Sequence, residues 1–240
     1  MCHLCDQAVP RLSRRRALGA GLAFAGAAAL VPWRANAAVG PGAPNAIPPA
    51  AALARLMEGN TRYAANTAMN RNDAASRADR ADAQYPIAAI VGCADSRVAP
   101  ERIFDQGAGQ LFVIRVAGNF VDPSGLASLE YGVKYLGIPL IVVLGHSNCG
   151  AVAAAIKVLK DGATLPGHLP NLVADLKPGV QPVIDRKPKD LLAEAIRGNV
   201  RYNVAQLQKD QPIIAEAVTH GTVKIVGGVY DIASGRVALL

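Results

Sequence analysis

The stretch Ile138-Pro139-Leu140-Ile141-Val142-Val143-Leu144-Gly145-His146-Ser147-Asn148-Cys149-Gly150 changes character twice within thirteen residues. Its first half is a continuous apolar run rich in Val and Ile, with none of the alternation of a half-exposed strand. It therefore reads as a parallel strand buried on both faces. An Ala-rich segment follows, Cys149 to Lys160, which has helical character and is stopped by Gly162. The unit is strand, short polar loop, helix. The loop carries an imidazole and places a thiol at the N-terminus of the helix.

Working outward, similar apolar runs occur at Ile87 to Val91, Leu111 to Val116 and Val223 to Val229. Helical patterns separate them at Ser124 to Leu136, Pro188 to Lys209 and Gln211 to His220, the first and last stopped by Gly137 and Gly221. Residues 163 to 188 hold five prolines and allow only a short helix at Leu169 to Lys177. Leu53, Leu56, Met57 and Tyr63 recur at helical spacing through about Asn66, and a polar Arg/Asp-rich connection runs on to Gln84. Ser234-Gly235 turns the last strand into a hairpin. The βαβα order predicts an α/β fold: an open, mainly parallel β-sheet flanked by helices, with an N-terminal helical arm and a C-terminal hairpin.

The beginning of the chain is different. Ser13-Arg14-Arg15-Arg16 opens an apolar run from Ala17 to Val31, and Ala35-Asn36-Ala37 offers a small-residue cleavage site. Residues 1–37 thus resemble a twin-arginine signal peptide and imply an exported, periplasmic protein. The apolar run falls short of the roughly 20 residues that span a bilayer, so no membrane span is expected after cleavage. Residues 38–49, with Gly40, Pro41, Gly42, Pro44, Pro48 and Pro49, read as a linker, and 50–240 as one domain. The formal charge of +7 includes five leader arginines set against Asp6 alone. What remains after residue 37 forms no basic run, which gives no footprint for nucleic acid or an anionic membrane. Cys2 and Cys5 belong to the leader, leaving Cys93 and Cys149 to the domain.

The first strand of the domain runs into Cys93-Ala94-Asp95-Ser96-Arg97. If extended geometry persists, period two puts Cys93, Asp95 and Arg97 on one side, at a strand's carboxyl end, where open α/β sheets hold ligands. Cys149 at a helix N-terminus is biased toward thiolate. Two thiolates and an imidazole make a Cys2His set suited to tetrahedral zinc with one position open for water. A Cys93 to Cys149 disulfide is the alternative in an exported protein. It leaves His146 and the Asp95/Arg97 pair without a purpose.

Cys93-Ala94-Asp95-Ser96-Arg97 and His146-Ser147-Asn148-Cys149-Gly150 are similar to the paired signature motifs of beta-class carbonic anhydrases. Leu56-Met57-Glu58-Gly59-Asn60-Thr61-Arg62-Tyr63 resembles that family's early helix, and Gly227 to Val237 its closing hairpin. The resemblance implies one zinc per chain on Cys93, His146 and Cys149, with Asp95 and Arg97 as the catalytic dyad. It also implies substrate-binding roles for Gln84, Phe112, Tyr131 and Gly150, as in the plant-like, open-site branch. Gln84 and Tyr131 are then expected from the opposite subunit of a homodimer or higher homo-oligomer. A bicarbonate-regulated branch has a Trp three residues before the first zinc Cys; here Ile90 stands there, although Arg115 matches the Arg of that pattern.

The implied reaction is reversible hydration of CO2 to bicarbonate and a proton. Zinc would lower the pKa of a water from about 15.7 toward 7, and Asp95, kept ionised by Arg97, would aim it. Two rivals use the same residues: hydrolysis of CS2 or COS, and a non-catalytic zinc protein.

Overall fold

The structure is a computed structural model that describes residues 42–240 apart from Asn70 and Ser76. The signal-peptide reading, Cys2, Cys5 and the start of the linker lie outside the described residues. In chain order the elements are α1 (Pro49–Ala64), β1 (Ala88–Cys93), α2 (Pro100–Ile103), β2 (Leu111–Val116), α3 (Pro123–Leu136) and β3 (Leu140–His146). They continue with α4 (Gly150–Asp161), α5 (Leu169–Asp185), α6 (Leu191–Leu207), α7 (Ile213–Thr219), β4 (Lys224–Tyr230) and β5 (Val237–Leu239).

The strands form one sheet in the order β2-β1-β3-β4-β5. All neighbours are parallel except β5, which returns antiparallel on β4 as the expected hairpin. β1 and β3 occupy the middle and are buried at every position. Alternate residues serve opposite faces, as the pleat requires. Ile90, Val142 and Leu144 pack with Leu56, Ile103 and Phe104 on one face. Val91, Ile141 and Val143 pack with Leu129, Val200 and Ile214 on the other. A third apolar cluster joins α4, α5 and α6 to Cys93 and Cys149.

Helix boundaries follow local chemistry. Asp122 caps α3 by accepting from the Gly125 amide at 2.6 Å, and Gly137 ends that helix in the left-handed region at φ 62°. Asp190 caps α6 through the Ala193 amide. The main departure from expectation is α5, which runs from Leu169 through Pro178 and Pro182 to Asp185 rather than stopping near Lys177. Each proline removes a backbone donor and costs helix stability. Tertiary packing overrides that cost: Val173, Leu176, Val180 and Val183 are buried. A Cβ at Gly179 would lie 2.7 Å from Asn199 Cα, and one at Gly198 only 2.8 Å from the Gly179 carbonyl oxygen, so the two helices cross backbone to backbone. Ahead of α1, Asn45 is fully buried and donates to the Pro86 and Leu136 carbonyls.

The early-helix motif is a docking device. Gly59 sits against the Phe104 carbonyl, leaving no room for a Cβ. Buried Asn60 donates to the Ile103 and Gly235 carbonyls and accepts from the Val237 amide, fastening α1 to both the end of α2 and the terminal hairpin. Arg62 pairs with Asp105 at 2.6 Å, and Arg71 pairs with it at 2.5 Å. The Met69 amide also donates to Asp105, so one carboxylate anchors the polar connection. Burial would raise the Asp105 pKa, but Arg62, Arg71 and the amide outweigh it and leave it below the ordinary carboxylate value.

Two outcomes follow for stability. Gly59→Ala should cost about 3 kcal/mol in urea unfolding, because the obstruction is backbone and not a side chain that can rotate away. Since the folded-state pKa of Asp105 is depressed, its contribution is present above the unfolded value of about 3.9 and is lost as pH falls below it. Urea midpoints should therefore drop below about pH 4, and drop less steeply in Asp105→Asn; equal slopes would refute the role of this pair.

Candidate metal centre

The chain passes from β1 to β2 on one side of the sheet and then crosses back to β3 on the other. The carboxyl ends of β1 and β3 therefore flank a topological switch point, where such sheets leave a crevice. Cys93 ends β1, His146 ends β3, and Cys149 caps the N-terminus of α4. The turn between His146 and Cys149 needs a left-handed residue, supplied by Asn148 at φ 56°. Ser147 holds it down: its amide donates to the Tyr230 carbonyl at 2.8 Å and its hydroxyl accepts from the Ile232 amide at 3.0 Å.

The Sγ atoms of Cys93 and Cys149 and a ring nitrogen of His146 lie within 4.8 Å of one another, and all three residues are buried. Both cysteines are free, so the disulfide alternative is not what the structure contains. His146 Nδ1 is 2.9 Å from the Ser147 carbonyl, which can only accept, so Nδ1 carries the proton. In the neutral ring Nε2 is then the acceptor lone pair, buried and without a hydrogen-bond partner. A buried acceptor left open beside two thiols is what a metal ligand set looks like before the ion is considered, and soft sulfur with imidazole suits a borderline-soft divalent ion. These residues can hold a metal.

Charge is already biased toward ligation. The Cys93 pKa is pushed down to about 4, chiefly because Cys149 donates to it, against the opposing effect of burial and with help from His146 and the Gly118 amide. The Gly118 amide lies 3.2 Å from Cys93 Sγ. Cys149 is correspondingly raised, because it gives its proton to the shared bond.

Asp95 and Arg97 stand at the mouth of this triad. Arg97 grips the carboxylate as a fork, Nε to Oδ1 at 2.9 Å and Nη2 to Oδ2 at 2.7 Å, and its own amide also donates to Oδ1 at 2.9 Å. The guanidinium holds the Asp95 carboxyl well below the usual carboxylate range. Asp95 Oδ2 lies 3.9 Å from His146 Nε2. The expectation that strand pleating sets this pair on one side needs correction: β1 ends at Cys93, and a turn closed by Val98 N to the Asp95 carbonyl folds Arg97 back. Arg115, on the neighbouring strand, donates to the Cys93 carbonyl at 2.8 Å and to the Asp95 carbonyl at 2.6 Å. It thereby clamps both residues of the motif.

Of the other sequence-predicted positions, Gly150 adjoins the triad as the residue after Cys149, while Gln84, Phe112 and Tyr131 lie on other elements of the chain. Gln84 is exposed on the loop before β1. Phe112 is half-buried near the start of β2, four rungs before the Cys93–Val116 pair, and packs by Gly132 next to Tyr131. Tyr131 is 40% exposed and stacks on Tyr135 with ring centroids 5.4 Å apart. Gly150 is exposed, with open space where a Cβ would stand. Conversely, sequence reasoning passed over Gly118, Ser147, Asn199 and Asn203. Gly118-Asn119 after an apolar strand is a turn signal, and two Asn residues four apart on an apolar helix face were the available clues to the last two.

A family model described as carbonic anhydrase matches residues 88–237, which covers both motifs and the four parallel strands. The chain belongs to the carbonic anhydrase family. Among curated proteins it is 43% identical over 195 residues to carbonic anhydrase 2 of Mycobacterium tuberculosis, covering 80% of this chain and 92% of that one. It is 41% identical over 193 residues to the carbonic anhydrase of Mycolicibacterium smegmatis, covering 80% and 93%. Among solved structures it resembles the beta-carbonic anhydrase CcaA, with 29% identity, a TM-score of 0.62, and coverage of 79% of this chain and 87% of that one. It also resembles a Coccomyxa beta-carbonic anhydrase in complex with acetazolamide, with 30% identity, a TM-score of 0.60, and coverage of 78% and 86%. This is a beta-class carbonic anhydrase, and its reaction is the reversible hydration of CO2 to bicarbonate and a proton. Neither rival reading, CS2/COS hydrolysis or a non-catalytic protein, is favoured by these likenesses.

Replacing a member of the triad should remove metal and activity together. Cys149→Ser and His146→Ala are expected to retain less than a tenth of the wild-type metal after dialysis, measured by elemental analysis beside a CO2 hydration assay. Full hydration activity in metal-free protein would overturn the site.

Proposed function

We propose that this carbonic anhydrase is a zinc enzyme, with one ion per chain on Cys93, His146 and Cys149, and that Asp95 and Arg97 form its catalytic dyad. The observation that carries the reading is the orphaned His146 Nε2, facing two sulfurs and lying 3.9 Å from a carboxylate that is itself locked in place. Zinc bound there supplies Lewis acidity that lowers the pKa of a water from about 15.7 toward neutrality.

The protein's own residues do the rest. Ser147 fixes the imidazole tautomer, and the two thiolates temper the charge on the ion. Asp95, ionised across the working pH range, accepts a hydrogen bond from the attacking water and turns an oxygen lone pair toward the carbon of CO2. Arg97 keeps the carboxylate from rotating. As oxygen bonds to carbon the water gives up one proton to solvent, leaving bicarbonate. Arg97 donates to both Asp95 oxygens and leaves Oδ2 room for one further donor, so Asp95 would serve a water as acceptor while Cys93, His146 and Cys149 would hold the metal. With Ile90 in place of a Trp and Arg115 spent on backbone carbonyls, this supports the open-site branch.

Gln84, Phe112, Tyr131 and Gly150 are the proposed substrate-binding positions, the first and third reaching a partner's site in a homodimer or larger homo-oligomer. Exposure of Gln84 and of the Tyr131/Tyr135 pair supports this. So does the tetrameric state named for the similar Sordaria macrospora enzymes, at 26% identity. Residues 1–37 are proposed as a twin-arginine signal that delivers the domain, 50–240, to the periplasm after the 38–49 linker. No helix among the described residues is long and apolar enough to cross a membrane.

Asp95→Asn keeps the shape and removes the charge. It should retain zinc in elemental analysis while slowing CO2 hydration by roughly 10² to 10⁴, the usual scale for a positioned acid–base group. Wild-type turnover in that variant would rule out the orienting role.

A further inference from the structure

Cys93 Sγ accepts a hydrogen bond from the Gly118 amide, and that amide does not hold itself in place. Gly118 lies in a tight turn after β2, in the left-handed region at φ 91°, with Asn119 following at φ 45°. The turn is supported from α6. Asn199 Nδ2 donates to the Gly118 carbonyl at 2.8 Å. Asn203 Nδ2 in turn donates to the Asn199 carbonyl at 2.9 Å and to its Oδ1 at 3.1 Å. Asn203 Oδ1 accepts from the Val121 amide at 3.1 Å, so both ends of the turn are gripped from one helix. Both side chains are out of water, Asn199 at 0% and Asn203 at 4% exposure.

A buried amide that only filled space would be at a disadvantage to a hydrophobic residue of the same size, since its polar atoms must all be satisfied. Here each amide group is spent on the turn or on its neighbour. The packing around them is equally specific. A Cβ at Gly179 would stand 2.7 Å from Asn199 Cα, so α5 presses directly on α6 at this residue. A Cβ at Gly118 would meet Leu176 of α5 at 3.0 Å. The turn is therefore wedged between α5 and the asparagine pair, with its amide aimed at the sulfur.

We propose that Asn199 and Asn203 are positioning residues of the metal centre. They hold the residue 116–121 turn so that the Gly118 amide stays on Cys93 Sγ, and through that bond they limit how much charge this thiolate gives to the ion. Outer-shell hydrogen bonds of this kind orient a ligand and tune the metal, and their loss typically costs about 10- to 100-fold in metal affinity or activity. The inference rests on the metal reading above.

The test uses the full domain loaded with cobalt(II), whose sulfur-to-metal charge-transfer band reports thiolate donation. Asn199→Ala should move the band to lower energy, speed hydrogen exchange of the Gly118 amide at least about 10-fold, and release zinc to a chelator about 10- to 100-fold faster. Asn203→Ala, one bond further away, should shift all three in the same direction by less, and keeps the test open if Asn199→Ala does not fold. Val204→Ala, an apolar change on the same helix, controls for lost packing alone. A band unmoved in the folded Asn199→Ala or Asn203→Ala protein, or moved equally in Val204→Ala, overturns the proposal. Failure of the wild-type domain to bind cobalt or zinc would instead overturn the metal reading itself.

Discussion

The site depends on one pairing, the parallel ladder between β1 and β3. Its rungs run from Ala89–Ile141 to Gly92–Leu144, so Cys93 follows the last rung directly and His146 lies two residues past it on the neighbouring strand. Neither residue could be moved by one position without reversing its face, since the side-chain period is two. Both strands are buried on both faces, which makes a slip of register doubly costly: every displaced Val or Ile would trade one packed layer for another of a different shape. The ligands thus inherit their precision from a hydrophobic core that has no chemistry of its own.

Around that core, polar groups are buried only where they secure a turn. Asn45, Asn60, Asp105, Asn199 and Asn203 each tie backbone segments far apart in sequence. Each would be destabilising unpaired, by about 1 to 3 kcal/mol. Among the described residues four buried side-chain atoms lack a partner, Asn45 Oδ1, Asn119 Nδ2, Asp210 Oδ2 and His146 Nε2, and of these only His146 Nε2 lies in a cluster with two cysteine sulfurs. An unpaired buried atom alone therefore does not mark the site; its coincidence with two sulfurs does.

Much of this was legible in the sequence, for physical reasons. β1 and β3 announce themselves as apolar runs because both faces are covered, β2 and β4 as runs broken by Arg115 and by Gly227-Gly228, and α3 and α4 carry their own stops in Gly137 and Gly162. Cys93, His146 and Cys149 could be grouped because each immediately ends a strand or begins a helix. What could not be read were features set by tertiary contact. The prolines of α5 argued against a helix whose burial against α6 sustains it. The four-residue α2 has no periodicity to detect. Asn199 and Asn203 are ordinary helix residues until Gly118 is brought against them, and Gln84 and Tyr131 lie on the surface of a single chain, where no same-chain contact gives them a role.

The dyad shows how far electrostatics alone can be trusted here. In one chain the Arg97 side chain is 50% exposed and that of Asp95 17%, so solvent screens their attraction and the pair adds little to stability. Yet the role proposed for Asp95 needs its carboxylate at a fixed angle, and a screened ion pair on a long side chain is a poor protractor. Backbone supplies the missing rigidity. The Arg97 amide reaches Asp95 Oδ1 within the same turn, independently of where the guanidinium wanders. Arg115, rooted in β2 at the rung facing Gly92, holds the carbonyls of both Cys93 and Asp95. The strand that places Cys93 is therefore tied to the carboxylate beside it, and the Arg97 fork has only to keep Asp95 charged and stop it rotating.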